Sequence, residues 1–277
     1  MAASVNAGTP DTPVGIGAED AVATKRRIII CGYPKSGTTW LGRLVAELVD
    51  CPFQGDLGFA HSGAREGQER DSAFICYKTH HTWESLVRHH LHDHVTLIYI
   101  VRDPRDVAIS AAHHFQVNPL ERRLGDNKMA RALGARLARV VPHALKRRRL
   151  IDAVLGGDSS LSAWLAVPWR EHYRGFHQSG TPILRYEDLL DDPLKKCAEI
   201  LAWVGVARPE ARILSAISNQ SFETRKGLAE ARGSVSEYRY LRRGSQGYWR
   251  AELTERQRRR FIEEVGEELR ELSYRLH

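Results

Sequence analysis

A short segment rich in glycine and hydroxyl residues joins an apolar run to a stretch with helical periodicity. The run is Ile28–Cys31, and Gly32–Trp40 follows with the sequence Gly-Tyr-Pro-Lys-Ser-Gly-Thr-Thr-Trp. The next apolar positions recur at helical spacing, at Trp40, Leu41, Leu44, Val45, Leu48 and Val49. This pattern predicts a buried strand, a tight turn and a helix. Because backbone N–H groups at a helix N-terminus point at one spot, the turn is predicted to bind a phosphate.

The cation of this loop does not stand where a nucleotide kinase carries it. A Walker A loop has lysine directly after its second glycine, whereas here Thr38 occupies that position and Lys35 lies inside the loop. The apolar run Val95–Val101 is followed by Arg102, and not by the carboxylate that holds magnesium in P-loop enzymes. Both differences count against a P-loop nucleotide or small-molecule kinase, which is the alternative to the function inferred below. No metal site is predicted.

Short apolar runs alternate with amphipathic stretches along the rest of the chain. Further strands are predicted at Phe74–Tyr77, Val95–Val101 and Ile183–Tyr186, and helices at Asp106–Ala112, at Pro193–Val204 and from Thr254 onward. Thr254 and Gln257 have the spacing of a capping box at the start of the last helix. The alternation predicts an α/β fold, a single domain over residues 25–277 with a central parallel sheet flanked by helices.

Composition narrows the class of protein. The formal charge of +7 favours anionic partners. The four cysteines are widely spaced, which indicates neither a disulfide framework nor a zinc site. No stretch of about 18 apolar residues is present to span a membrane. Residues 1–24 lack Lys, Arg and a continuous apolar core, so they are predicted to be a disordered tail, and the protein is expected to be cytoplasmic.

Three motifs in order resemble the family of cytosolic sulfotransferases that use 3′-phosphoadenosine-5′-phosphosulfate (PAPS). The loop Tyr33–Trp40 is similar to the family's 5′-phosphosulfate loop, Tyr99–Ser110 to its 3′-phosphate segment, and Leu241–Trp249 to its RKGxxGxW loop. The resemblance implies PAPS as co-substrate and sulfuryl transfer to an acceptor hydroxyl or amine. The donor-binding positions that it implies are Lys35, Ser36, Gly37, Thr38, Thr39, Trp40, Arg102, Ser110, Tyr186, Ser221, Phe222, Arg242, Arg243 and Gly244.

The segment Lys78-Thr79-His80-His81 follows a predicted strand, where parallel sheets hold their ligands. The resemblance implies that His80 is the general base, with Lys35 and Lys78 stabilising negative charge, and His81 remains an alternative base. Histidine suits the role because its ordinary pKa lies near working pH. A protein that only binds nucleic acid or anionic lipid would not need Lys35, Lys78 and His80 together, so nucleic acid is not expected as a partner.

A basic segment interrupts the resemblance. Residues 121–149 carry eight Arg and two Lys against Glu121 and Asp126, and their apolar positions predict a helical insert at about 116–160. It is interpreted either as a solvated face or as a docking surface for a membrane or an anionic acceptor. The stretch Arg225–Gly247 is predicted to be a long mobile loop. The family's dimerisation motif is not recognisable after Trp249, so the oligomeric state and the acceptor remain open.

Overall fold

Five parallel strands form the centre of the protein in the computed structural model, which describes residues 25–58, 65–91, 94–115, 142–233 and 244–277. The strands are β1 (Arg26–Cys31), β2 (Phe53–Asp56), β3 (Phe74–Thr79), β4 (Val95–Val101) and β5 (Ile183–Arg185). They lie in the order β2-β3-β1-β4-β5, and every neighbouring pair is parallel. The predicted α/β class is therefore confirmed.

Helices connect the strands and cover the sheet. They are α1 (Thr38–Val49), α2 (Trp83–His89), α3 (Pro104–His114), α4 (His143–Gly156), α5 (Trp169–Gln178), α6 (Tyr186–Asp191), α7 (Pro193–Val204), α8 (Glu210–Asn219), α9 (Phe222–Ala231), α10 (Trp249–Glu252) and α11 (Glu255–Glu271). A single 3₁₀ turn, Ala163–Leu165, precedes α5. Within the described ranges, no helix is both long and apolar enough to cross a membrane.

The strand β1 is apolar at successive positions because both faces of the sheet are covered. Ile28 and Ile30 pack in a core cluster with residues of α1, α7 and α8. Ile29 and Cys31 point the other way, into a second cluster with residues of α3, α4, α5 and α11. Side chains alternate between the faces of a strand, so a strand covered on both sides needs an unbroken apolar run.

Most predicted elements are present with small shifts at their ends. The strand Val95–Val101 and the helix Pro193–Val204 have the predicted bounds, and Thr254 and Gln257 form the predicted capping box at the start of α11. β3 extends to Thr79. β5 ends at Arg185 because its pairing with β4 stops there, and Tyr186 begins α6. The strand prediction at Tyr186 was wrong by this one residue.

Three other predictions are corrected in part or fall on residues that the structure does not describe. The predicted loop at Arg225–Gly247 is helical as far as Ala231, in α9, and residues 234–243 are not described. Of the predicted insert, residues 116–141 are outside the description, as are residues 1–24. The described part contains α4, which buries Leu150, Ile151 and Val154 in the core. This helix is therefore an integral part of the fold and not only a solvated face.

Candidate active site

A cavity of about 340 Å³ lies where the carboxyl ends of β1, β3, β4 and β5 meet. Parallel sheets bind ligands at this edge because the loops that follow the strands converge there. The cavity brings together predicted site residues from six separate parts of the chain. They are Lys35, Gly37, Thr38, Thr39, Trp40, Lys78, His80, Arg102, Ser110, Tyr186, Phe222 and Gly244.

The loop between β1 and α1 is tightly folded against its neighbours. Lys35 has φ 73° and Gly37 has φ 100°, both in the left-handed region. A Cβ at Gly37 would lie 2.8 Å from the ring of Tyr186, so only glycine allows this approach. The buried hydroxyl of Ser36 does not line the cavity and has no hydrogen-bond partner within the described part of the chain. This loop can wrap around an anion at the start of α1.

Arg102, at the end of β4, connects two loops of the cavity. Its guanidinium donates to the carbonyl of Lys35 at 3.3 Å and to that of Ser245 at 3.1 Å, and its Cζ lies 4.4 Å from the centre of the Tyr186 ring. Asp106 accepts hydrogen bonds from the backbone N–H groups of Gly247 and Trp249, at 2.6 and 3.0 Å. Arg102 therefore presents a positioned cation to the cavity, with Ser110 nearby in the lining.

Aromatic side chains gather at another part of the cavity wall. Trp40 and Tyr186 make an edge contact with their ring centres 5.5 Å apart, and a Cβ at Gly244 would lie 2.6 Å from the ring of Phe222. Such rings can hold a planar base. Ser221 does not line the cavity, and its hydroxyl caps α9 by accepting from the N–H of Thr224.

His80 has a defined tautomer at the end of β3. Its Nδ1 lies 2.7 Å from the carbonyl oxygen of Gly32. A carbonyl only accepts, so Nδ1 carries the proton and the lone pair of the neutral ring is on Nε2. Burial, together with the charge of Lys78, lowers the pKa of His80 to about 3. The ring is therefore neutral at physiological pH and able to accept a proton.

His81 has a different environment. Its Nδ1 lies 3.2 Å from the hydroxyl of Ser85, its ring packs edge-on to Trp164 at 5.0 Å, and burial lowers its pKa to about 4. It does not line the cavity. Of the two adjacent histidines, His80 is the one directed to the site.

Comparison with known proteins gives the family. Residues 59–273 match the family described as Sulfotransferase domain, which is more than half of the chain. The chain belongs to this family. The dog protein Sulfotransferase 1A1 is 26% identical over 270 residues, covering 88% of this chain and 83% of the relative, and the bovine Sulfotransferase 1A1 is 26% identical over 254 residues, covering 82% and 78%. The predicted enzyme class, a sulfotransferase, is confirmed.

Solved structures share the fold of this sulfotransferase. Mouse sulfotransferase SULT7A1 complexed with PAP (adenosine 3′,5′-bisphosphate) has a TM-score of 0.60 at 21% identity, covering 88% of this chain and 85% of that one. Retinol dehydratase in complex with androsterone and PAP has a TM-score of 0.58 at 19% identity, covering 88% and 80%. These likenesses support the α/β architecture with its five-stranded parallel sheet.

The sequence did not reveal three charged residues that line the cavity of this sulfotransferase. Asp56, at the end of β2, forms an ion pair with Lys78 on β3, and the two stand opposite each other in the strand pairing. Arg43 and Arg225 also line the cavity. Each lies three residues after a predicted aromatic site residue, Trp40 or Phe222. That helical spacing is the sequence signal that could have placed Arg43 and Arg225 in the cavity lining. No such signal marks Asp56, because β2 itself was not predicted.

Two predicted donor-binding residues, Arg242 and Arg243, lie outside the described residues. The loop that follows them is described from Gly244, and its residues Ser245 and Tyr248 also line the cavity. No group of three or more His, Cys, Asp or Glu side chains within the described ranges is arranged to hold a metal ion.

Proposed function

We propose that this sulfotransferase transfers the sulfuryl group of PAPS to a hydroxyl or amine of a small-molecule acceptor by in-line displacement. The observation that carries the proposal is the meeting of a phosphate loop, Arg102 and a neutral His80 at one cavity. A kinase would need a carboxylate to hold magnesium near the loop. Here Arg102 follows the adjacent strand instead, and the family assignment also favours sulfuryl transfer.

The cavity has features suited to each part of the donor. The first amides of α1, at Thr38 and Thr39 in the cavity lining, suit the 5′-phosphosulfate because a helix N-terminus attracts anions. The buried hydroxyl of Ser36 in the same loop has no hydrogen-bond partner among the described residues and is proposed to add a donor. Arg102 and Ser110 suit the 3′-phosphate, since guanidinium and hydroxyl donors together satisfy several phosphate oxygens. Trp40, Tyr186 and Phe222 suit the adenine. Arg242 and Arg243 are proposed to add to the 3′-phosphate contacts.

His80 is the proposed general base. PAPS supplies an activated sulfuryl group, and the acceptor must lose a proton as it attacks. Nε2 of His80 takes this proton, because Nδ1 is committed to the carbonyl of Gly32. The resulting imidazolium is opposed by the burial and the Lys78 charge that hold its pKa low, so the proton is readily passed to solvent after transfer.

Lys35 and Lys78 are the proposed electrophilic partners. Both line the cavity, and negative charge grows on the bridging phosphate oxygen as the sulfuryl group departs. Cations held in a partly buried site stabilise such charge more than they would in water. The ion pair with Asp56 holds the Lys78 ammonium in the cavity wall before a ligand arrives.

The acceptor class is the least constrained part of the proposal. A structural neighbour, retinol dehydratase, is known in complexes with androsterone and with retinol. This supports a small molecule with a nucleophilic hydroxyl as a first acceptor to test. Incubation with labelled PAPS and panels of phenols, sterols, alcohols and amines would identify the class by label transfer.

Titration calorimetry tests the donor. We expect PAP to bind far more tightly than AMP, because the 3′-phosphate gains several charge-assisted hydrogen bonds that contribute about 1.5–3 kcal/mol each. Adenosine 5′-phosphosulfate should likewise bind orders of magnitude more weakly than PAPS. ATP with magnesium is the control for the kinase alternative. Equal affinity with and without the 3′-phosphate would contradict the proposal.

A further inference from the structure

An ion cluster of Glu66, Arg43 and Arg225 adjoins the cavity, and its two arginines line the cavity wall. Glu66 pairs with Arg43 of α1 at 3.0 Å, from Nε to Oε1. The same carboxylate receives both terminal nitrogens of Arg225 of α9, at 2.6 and 3.1 Å. The arginine side chains are only 7% and 5% exposed, and that of Glu66 is 24% exposed. One carboxylate thus joins two helices, through an ion pair with Arg43 and through the bidentate geometry that arginine favours with Arg225.

The cluster is placed by the same turns of helix that hold the aromatic residues. Arg43 follows Trp40 by three residues on α1, and Arg225 follows Phe222 by three residues on α9. Residues three apart lie on one face of a helix, and all four side chains line the cavity. An ion pair that fixes the two arginines therefore also fixes the helical turns that carry the two aromatic rings.

Glu66 is itself well anchored. Its N–H donates to the carbonyl of Phe53 at 3.0 Å, and its carbonyl accepts from the N–H of Phe53 at 2.9 Å, which attaches its main chain to β2. By contrast, α9 has little apolar packing of its own, since Arg225 and Ala229 are its buried residues. The position of α9 relative to the sheet therefore depends strongly on the Arg225–Glu66 pair.

We propose that Glu66, through Arg43 and Arg225, is a positioning residue that holds Phe222 and Trp40 at the spacing required for the nucleotide. The loop at Gly244 packs directly on the ring of Phe222, so the same cluster also influences the position of that loop. This inference rests on the proposed function, because it assumes that a nucleotide occupies the cavity. Lys35, Lys78 and His80 are not part of this cluster, so the cluster is expected to affect donor binding and not the chemical step.

Glu66→Gln tests the proposal by the direction in which it changes the affinity for the nucleotide. Removing a negative charge beside a site for an anionic nucleotide strengthens binding if charge alone matters. If position matters, binding weakens, because a carboxylate that holds two buried arginines has been lost. We expect the Kd for PAP to rise at least about 10-fold and the KM for PAPS with it, while kcat at saturating PAPS stays within about 2-fold. An unchanged or lower Kd would overturn the proposal.

Glu47→Gln is the matched control. Glu47 lies on α1, as Arg43 does, and is 22% exposed, like Glu66 at 24%. It pairs at 2.6 Å with Arg70, which does not line the cavity, whereas the arginine partners of Glu66 do. The Glu47→Gln variant should have a lower melting temperature and an unchanged Kd for PAP. Equal rises in Kd for Glu47→Gln and Glu66→Gln would mean that the effect is one of general stability, and would also overturn the proposal.

Variants of Arg225 give a second test of the role of Glu66. Arg225→Met should weaken PAP binding, and adding it to Glu66→Gln should weaken binding little further, because Glu66→Gln already breaks the Arg225–Glu66 pair. Arg225→Lys keeps the charge without the bidentate geometry and should recover only part of the affinity. Additive effects would contradict the proposal. Failure of the unaltered protein to bind PAP would instead refute the proposed function, so the two failures are distinguishable.

Discussion

Hydrogen bonds to the main chain prepare His80 before any substrate arrives. Nδ1 donates to Gly32 on one side, and the carbonyl of His80 accepts from Nε2 of the buried His172 on the other, at 3.1 Å. His172 in turn accepts from the hydroxyl of Tyr99 at 2.9 Å. The position of the base is thus set by Gly32, which directly follows β1, by Tyr99 of β4 and by His172 of α5.

Replacing His80 should affect catalysis without affecting donor binding. We expect His80→Ala to lower kcat by about 10²–10⁴-fold, the usual contribution of a general base. The Kd for PAP should stay nearly the same, because the phosphate contacts are made by other residues. Initial rates and calorimetry on one preparation measure both.

His81→Ala is the control for this prediction. Its side chain packs on Trp164 and lies off the cavity lining, so we expect some loss of stability and little change in kcat. If His81→Ala abolishes turnover while His80→Ala does not, the neighbouring histidine is the base.

The loop that begins at Gly244 is held by α3. Asp106, in the first turn of that helix and only 2% exposed, accepts from the N–H groups of Gly247 and Trp249. Arg102 holds the same loop through the carbonyl of Ser245. One helix start and one strand end therefore fix a loop that lines the cavity but lies more than a hundred residues away in sequence.

Asp106→Ala should release this loop. Two hydrogen bonds to a charged acceptor are lost, each contributing about 1.5–3 kcal/mol. We expect a lower melting temperature and a Kd for PAP that rises at least about 10-fold, measured by thermal denaturation and calorimetry.

The control for this prediction changes stability elsewhere. Thr254→Ala removes the capping box of α11, and should lower the free energy of unfolding by about 1 kcal/mol without changing the Kd for PAP. If Asp106→Ala matches this control and leaves nucleotide affinity unchanged, the loop does not depend on Asp106 for binding.

At the scale of the whole molecule, buried histidines make stability depend on pH. Burial lowers the pKa of His172 to about 4, and those of His80 and His81 are lowered as well. In the unfolded chain they titrate near 6.5. Between about pH 6.5 and 4 the unfolded state therefore binds more protons, and stability falls as the pH falls. Asp106 and Glu187, whose pKa values are raised by burial, offset part of this trend.

Urea unfolding at pH 7, 6 and 5 measures this dependence. For a histidine that stays neutral in the fold, such as His172, the cost per pH unit should approach about 1.4 kcal/mol below pH 6 and be smaller between pH 7 and 6, because the unfolded chain titrates near 6.5. His172→Asn should make the dependence shallower, because a group that titrates only on unfolding has been removed. A free energy of unfolding that is constant from pH 7 to 5 would contradict the prediction.

The sequence alone determined the features that are local along the chain. An apolar run predicts a buried strand, a periodic apolar pattern predicts a helix, and a compact motif between them predicts the phosphate loop. The elements β1, α1, β4 and α7 were therefore predicted close to their bounds. The resemblance of short motifs to the sulfotransferase family implied further residues of the cavity lining, such as Arg102, Ser110 and Tyr186. These properties depend on neighbours within a few residues.

The tertiary structure alone decided which distant residues meet. The ion pair of Asp56 with Lys78 requires two neighbouring strands in one register. The cluster of Glu66 with Arg43 and Arg225 requires two helices to converge on a segment that is bridged to β2. The same holds for which of the adjacent His80 and His81 lines the cavity. An isolated charged residue carries no record of its partner in the sequence, because ion pairing depends on separation in space and on burial.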